Sequence, residues 1–268
     1  MKEFQLLILI LRLVLSPALI ACATLVGRRW GPAVSGWFTG FPFVSAPVSI
    51  VLALNNGPSF VVEAAIGTIG GQCCVCLFAL VYFFAAGRLK WYFCTLISLA
   101  AFVLSAYLWK SLSPGLLLSV VCLLAIVFLC LWVTRRQQYS ARAVAGPKWD
   151  LPVRMLVACA VVYALTGVSS VVGAKWSGIL SAFPVMGLIL ATFTQAQQGS
   201  QAARKLLRGS IIGSFGIAAF YLVIGLLMPV VQSLFVYLVA AVGVVLVNWA
   251  TLAMIQHRPD TSAAPNPS

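Results

Sequence analysis

The sequence predicts an all-α polytopic membrane protein of about nine transmembrane helices, arranged as an inverted four-plus-one-plus-four repeat. Three observations predict it. The first is apolar length. Runs of about 20 apolar residues, enough to cross a bilayer as helix, recur along a chain that is 62% hydrophobic and 8% charged. Backbone groups in lipid must hydrogen-bond within their own segment, so such runs are helices. The second is an internal duplication. GPAVSGWFTGFP, NNGPSF and GTIGG, read from Gly31, answer without a gap to GAKWSGILSAFP, QQGSQA and GSIIG, read from Gly173. Ser35 and Gly36 fall on Ser177 and Gly178, Phe41 and Pro42 on Phe183 and Pro184, Gly57 on Gly199, and Gly67 and Gly71 on Gly209 and Gly213. Chance matches between apolar segments favour Leu, Val and Ala. These are Gly, Pro, Ser and Phe, whose backbone and packing roles are specific, so they mark a true repeat. The third is the placement of charge, which follows from the order of the spans.

The first span covers residues 6–26. Lys2, an apolar run and Leu19-Ile20-Ala21-Cys22 imitate a lipoprotein signal. Arg12 interrupts that run, and the residues from Arg12 onward fall on those from Arg154 onward at the same offset, so the segment belongs to the repeat. The second span covers 34–54, the third 60–84, the fourth 91–109 and the fifth 114–133. A polar linker follows. The sixth to ninth cover 151–172, 178–195, 206–228 and 230–255, ahead of a Pro- and Ser-rich tail expected to be disordered. The units are thus a first four-helix repeat (1–112), a linking helix and linker (113–150), a second, inverted repeat (151–256) and the tail (257–268).

With nine spans, Arg28, Arg29, Arg88, Lys90, Arg135, Arg136, Arg142, Lys148, Arg204, Lys205, Arg208 and Arg258 share one face of the membrane. The other face carries Lys2, Lys110 and Lys175. The positive-inside rule then places the N-terminus outside and the C-terminus in the cytoplasm of a cell (inner) membrane protein. The repeat offset spans five helices, an odd number, so the two copies enter the bilayer from opposite sides. Inverted repeats of this kind recur in transporters. The same topology accounts for the net charge of +13 without invoking nucleic acid.

The stretch AKWSGILSAFPVMGLILATFTQAQQGSQAARKLLRGSIIGSFGIAAFYLVIGLL, with Gly-x-x-x-x-Phe-Pro in one span and a polar-Gly turn before the next, resembles the GlpM-like small membrane proteins. The resemblance implies a four-helix unit, here duplicated and fused, and a loose link to envelope polysaccharide production.

Pro42 and Pro47 lie within the second span and Pro184 within the seventh. A mid-helix proline removes a hydrogen bond and clashes with the preceding turn, so both spans are expected to kink or break. Broken segments at matching places in two halves point to a transport site, built from Ser35, Gly36, Phe41, Pro42, Ser177, Gly178, Phe183 and Pro184. Close helix packing explains the same residues without a site. Arg12 lies about two turns into the first span, and Arg154 starts the sixth at the equivalent place. A buried arginine costs about 2.5–3.5 kcal/mol on insertion scales. Arg154 is expected to snorkel to the surface, and Arg12 to contact an anionic group or pair with Glu63. Glu63 is the one acid within a span. It reads as a carboxylate at a helix N-terminus or a proton-coupling group, and its counterpart is Lys205. Gln197, Gln198 and Gly199, like Asn55, Asn56 and Gly57, read as turns.

The eight cysteines make no disulfide framework. Cys73, Cys74 and Cys76 form one cluster without a nearby His and read as small packing residues. No carboxylate pair, metal-ligand set, nucleotide loop or Ser-His arrangement is present, so no cofactor, no ATP-driven pumping and no enzyme is expected. A divalent-cation carrier would want more buried anionic oxygens. The expected function is a secondary transporter or flippase-like carrier of a small neutral or anionic substrate. The alternative is a non-catalytic subunit of an envelope-assembly system, acting as a homodimer or with a complex partner. Membrane lipid surrounds the protein in either case.

Overall fold

The computed structural model describes residues 2–112, 114–135, 147, 149–171 and 183–256, and these form helices joined by short turns. The helices are α1 (Lys2–Trp30), α2 (Pro32–Phe38), α3 (Ser45–Asn56), α4 (Pro58–Ala85), α5 (Trp91–Leu112), α6 (Leu116–Thr134), α7 (Asp150–Val171), α8 (Val185–Gln198), α9 (Ser200–Val231) and α10 (Phe235–Gln256). Six of them contain stretches long and apolar enough to cross a membrane, in α1, α4, α5, α6, α9 and α10. The chain is a polytopic helical membrane protein.

The second apolar stretch is not one span. It divides into α2, of 7 residues, and α3, of 12. Pro42 sits in the gap, where it has no N–H to offer the ladder. Pro47 lies in the first turn of α3, a position that needs no such bond. α8 begins directly after Pro184.

Turn glycines set the other boundaries. Gly57, between α3 and α4, has φ 82° and ψ 174°; Gly199, between α8 and α9, has φ 85° and ψ 177°. That region of backbone space is essentially reserved for glycine, which explains why Asn-Asn-Gly and Gln-Gln-Gly stand there.

α4 and α9 are the most enclosed helices and pack against each other at the centre. Ile69, Phe78, Tyr82 and Phe83 of α4, with Leu207, Ile211, Phe220 and Ile224 of α9, form the heart of the core. α4 and α9 run antiparallel: Arg204, in the first turns of α9, donates to the carbonyl of Phe83 near the end of α4 at 2.9 Å. α6 packs on both of them, and α1 packs on α7. Around this centre, α5, α6 and α10 turn large apolar side chains outward, among them Leu96, Leu104, Leu118, Phe128, Leu238 and Leu246. A patch that size is unstable in water and suits lipid.

Interhelix bonds gather the basic helix ends at one end of the bundle. Arg28, at the end of α1, meets Asp150, at the start of α7, which also bonds Gln197 at the end of α8. Gln195 of α8 donates to the Leu89 carbonyl between α4 and α5 at 3.0 Å. Aromatic rings accompany the charges: Arg29 lies over Trp30 and Arg135 over Trp132, the pairing typical of a membrane–water interface.

Candidate functional site

The site begins at the crossing of α2 and α9. A Cβ on Gly36 or on Gly209 would run into backbone of the facing helix, at Leu206 and Ala33 respectively, and one on Gly213 would stand 2.6 Å from the Trp37 carbonyl oxygen. The helices touch through main chain, as small residues in membrane helices permit. Ser35 is buried and donates to the Ala23 carbonyl at 2.7 Å, fastening α2 to α1. Ser35 and Gly36 are thus held in helix contacts.

The α2–α3 break sits at the end of this crossing. Phe41 lies edge-on to Trp37 and stacks on Phe43, and Pro42 is buried. The N–H of Phe43 bonds the Phe41 carbonyl at 2.9 Å, and that of Ala46 bonds the Pro42 carbonyl at 2.7 Å. Phe183-Pro184 has the same pattern: Val185 to Phe183 at 2.8 Å and Leu188 to Pro184 at 2.8 Å. Pro184, with φ −80° and ψ 58°, centres an inverse γ-turn. Phe183 packs edge-on to Phe102. Ser177 and Gly178 lie outside the described residues.

A line of polar side chains runs inward from the crossing. Thr39 and Ser210 share a hydrogen bond at 2.9 Å, Ser214 donates to the Ser210 carbonyl at 3.1 Å, and Gln72 donates to the Ser214 hydroxyl at 2.8 Å. Gln72 and Ser214 stand near the middles of α4 and α9.

At the basic end of the bundle lies an ionic cluster. Asp150 accepts from Arg154 Nε at 2.6 Å, from Gln197 Nε2 at 2.6 Å and from an Arg28 terminal nitrogen at 3.0 Å. Arg154 is 2% exposed and Asp150 1%. The guanidinium of Arg154 also lies 5.1 Å from the centre of the Phe193 ring. This corrects the snorkelling expectation. Asp150 is one turn earlier on the same helix face, and a buried arginine with a carboxylate partner need not reach water. Burial by itself pushes the Asp150 carboxyl up. The hydrogen bonds from Arg154 and Gln197, the charge of Arg154 and the Arg28 bond outweigh it and hold the group below the usual carboxylate range. Beside the cluster is a cavity of about 20 Å³, lined in part by Thr24, Ser35, Thr194 and Leu206, with room for about one water.

Glu63 lies on an exposed part of α4. Arg12 is within α1, but its side chain lies outside the described residues, and so does the expected Arg12–Glu63 pair. Cys73, Cys74 and Cys76 are buried in the core. Among the described residues no group of three potential ligands is placed to hold a metal.

Asp150, Arg28 and Gln197 were not singled out by sequence reasoning. Asp150 fell at the end of the linker, Arg28 read as a topology charge and Gln197 as a turn residue. The available signal was scarcity: in a chain with four acids and 17 Lys and Arg, an acid four residues before a span arginine is a ready partner. Asn248, fully buried against Gly216, was also missed. No family model, curated protein or solved structure matches this chain.

Proposed function

We propose that the protein is a small secondary carrier of the inner membrane. It binds a small neutral or anionic substrate between two inverted halves and exposes it alternately to the two sides. It carries out no covalent chemistry. The observation that carries this reading is the shared backbone of Phe41-Pro42 and Phe183-Pro184, two Phe-Pro steps with the same hydrogen-bond pattern, each ahead of a helix, at the Gly31-to-Gly173 offset. Discontinuous segments at corresponding places form substrate sites because they turn backbone groups toward a cavity.

Three further observations support two related halves. Gly57 and Gly199 share a glycine-only conformation. Gln72 and Ser214, one on each central helix, stand at the same offset and bond each other; in a two-fold arrangement, equivalent residues meet only near the axis. α5 reaches α8 through Thr95 and Thr192, and α10 reaches α3 through Tyr237 and Ser49, with Thr95 and Tyr237 equivalent. The antiparallel α4 and α9 fit the inverted sense. Nine crossings, with the basic end in the cytoplasm and the N-terminus outside, complete the proposed topology. Kinship with the GlpM-like proteins, as a fused duplicate, belongs to the same proposal.

The test is flux of candidate solutes into proteoliposomes. Pro42→Ala and Pro184→Ala, which restore a helix-forming residue at each break, are expected to abolish flux in protein that still purifies folded. Flux that survives both changes removes these breaks from the mechanism. Absence of flux together with a stably co-purifying envelope protein favours the non-catalytic subunit instead.

A further inference from the structure

We infer that Arg28, Arg154 and Gln197 form a clamp for an oxyanion, a carboxylate or phosphate group, and that Asp150 fills the clamp as an internal stand-in. As a statement of substrate class it rests on the carrier reading; as a statement of binding it does not.

The argument starts from what Asp150 receives. Its two oxygens take donors from three helices: Arg28 of α1 on Oδ2, and Arg154 of α7 and Gln197 of α8 together on Oδ1. Two guanidinium groups and an amide around one carboxylate is the donor set that recognises a ligand oxyanion. Charge gives the second step. Two arginines face a single carboxylate, so the cluster carries a net positive charge while two of its members are nearly inaccessible to water. One donor is also unused: the buried Arg28 Nε has no hydrogen-bond partner among the described residues.

Space gives the third step. The adjoining cavity, about 20 Å³ in volume, admits little more than a water while Asp150 is in place. A carboxylate or phosphate enters only as Asp150 leaves. Asp150 is the first residue of α7, so its side chain swings away by unwinding one turn at a helix end rather than by breaking a helix interior. Finally, the cavity adjoins the α2–α9 crossing. Its lining residues Ser35 and Leu206 lie one helical turn from Thr39 and Ser210, where the polar line toward Gln72 begins.

The experiment compares the purified full chain with Asp150→Asn and with Asp150→Asn/Arg28→Gln in phosphatidylcholine nanodiscs. Inorganic phosphate and acetate are titrated at constant ionic strength by calorimetry. Asp150→Asn is expected to bind phosphate at least about tenfold more tightly than wild type, because the competing carboxylate is gone, and Arg28→Gln is expected to reverse the gain. If Asp150→Asn is unfolded without anion, recovery of its thermal transition in phosphate but not in chloride reads the same exchange. Binding seen only when phosphatidylglycerol is added to the discs identifies a lipid headgroup as the source of the oxyanion; binding of free phosphate identifies a soluble one. Phosphate binding by Asp150→Asn that is no tighter than wild type, or that survives Arg28→Gln, overturns the clamp. Tight binding without flux keeps the clamp and removes the carrier; flux of neutral solutes with no anion binding does the reverse.

Discussion

Replacing Gly213 by alanine tests whether the α2–α9 crossing is set by main-chain contact. A Cβ at Gly213 would stand 2.6 Å from the Trp37 carbonyl oxygen, 2.9 Å from Gly40 Cα and 3.0 Å from Gly40 N. Ordinary carbon contacts begin near 3.4 Å or a little beyond, so α2 must retreat by roughly half an ångström or more. The obstructing atoms are backbone, so no rotamer change relieves them. Overpacking of this kind costs about 1–3 kcal/mol, against which alanine in a helix interior gains about 1 kcal/mol over glycine. The net expectation is a loss of up to about 2 kcal/mol, or up to about 6 °C in the thermal transition. Gly243→Ala is the control. Its new Cβ meets only Val223 Cγ2, at 3.9 Å, so it keeps the propensity gain without the clash. Melting followed in detergent by near-ultraviolet circular dichroism compares the two. If Gly213→Ala melts at or above Gly243→Ala, the helices are not in the contact described and the argument fails.

Asp150→Ala leaves Arg154 buried without its carboxylate, a change worth about 3–5 kcal/mol for a buried pair; chemical unfolding of wild type and variant measures it. The carboxyl of Asp150 is held below its usual range in the folded protein. Its contribution is therefore complete above the unfolded carboxylate pKa and is lost as pH falls through the lower, folded value, so acid melting curves of wild type should converge on those of the variant only below about pH 4. Gln72→Ala and Ser214→Ala are expected to couple by about 0.6 kcal/mol, and by no more than about 1.7, the range of interhelical hydrogen bonds in membranes; a double-mutant cycle with no coupling energy removes that bond. Nine crossings require the termini to lie on opposite faces. Epitope tags at each end, probed by protease in right-side-out and inverted vesicles, should be cut in opposite preparations, and cleavage of both in the same preparation contradicts the count.

Much of the architecture was legible in the sequence because lipid constrains it so strongly. Apolar length alone requires helices. Pro42 and Pro184 announced interruptions, since proline lacks the hydrogen the ladder needs. Gly57 and Gly199 announced sharp turns, and the structure places both in a conformation that other residues avoid.

What the sequence left open was which groups meet. Gly36 and Ser35 read as packing or as site residues, and only the approach of α2 to α9 and α1 decides that they are held in contacts. Arg154 read as a residue bound for the surface, because its helix alone offers an exposed end. Its fate turned on Gln197 and Arg28 arriving from two other helices to enclose Asp150. Hydropathy and periodicity are properties of one segment, and they fix what each segment is. The Asp150–Arg154 pair lies within one helix, but its enclosure depends on distances between segments remote in sequence, and those exist only once the bundle has packed.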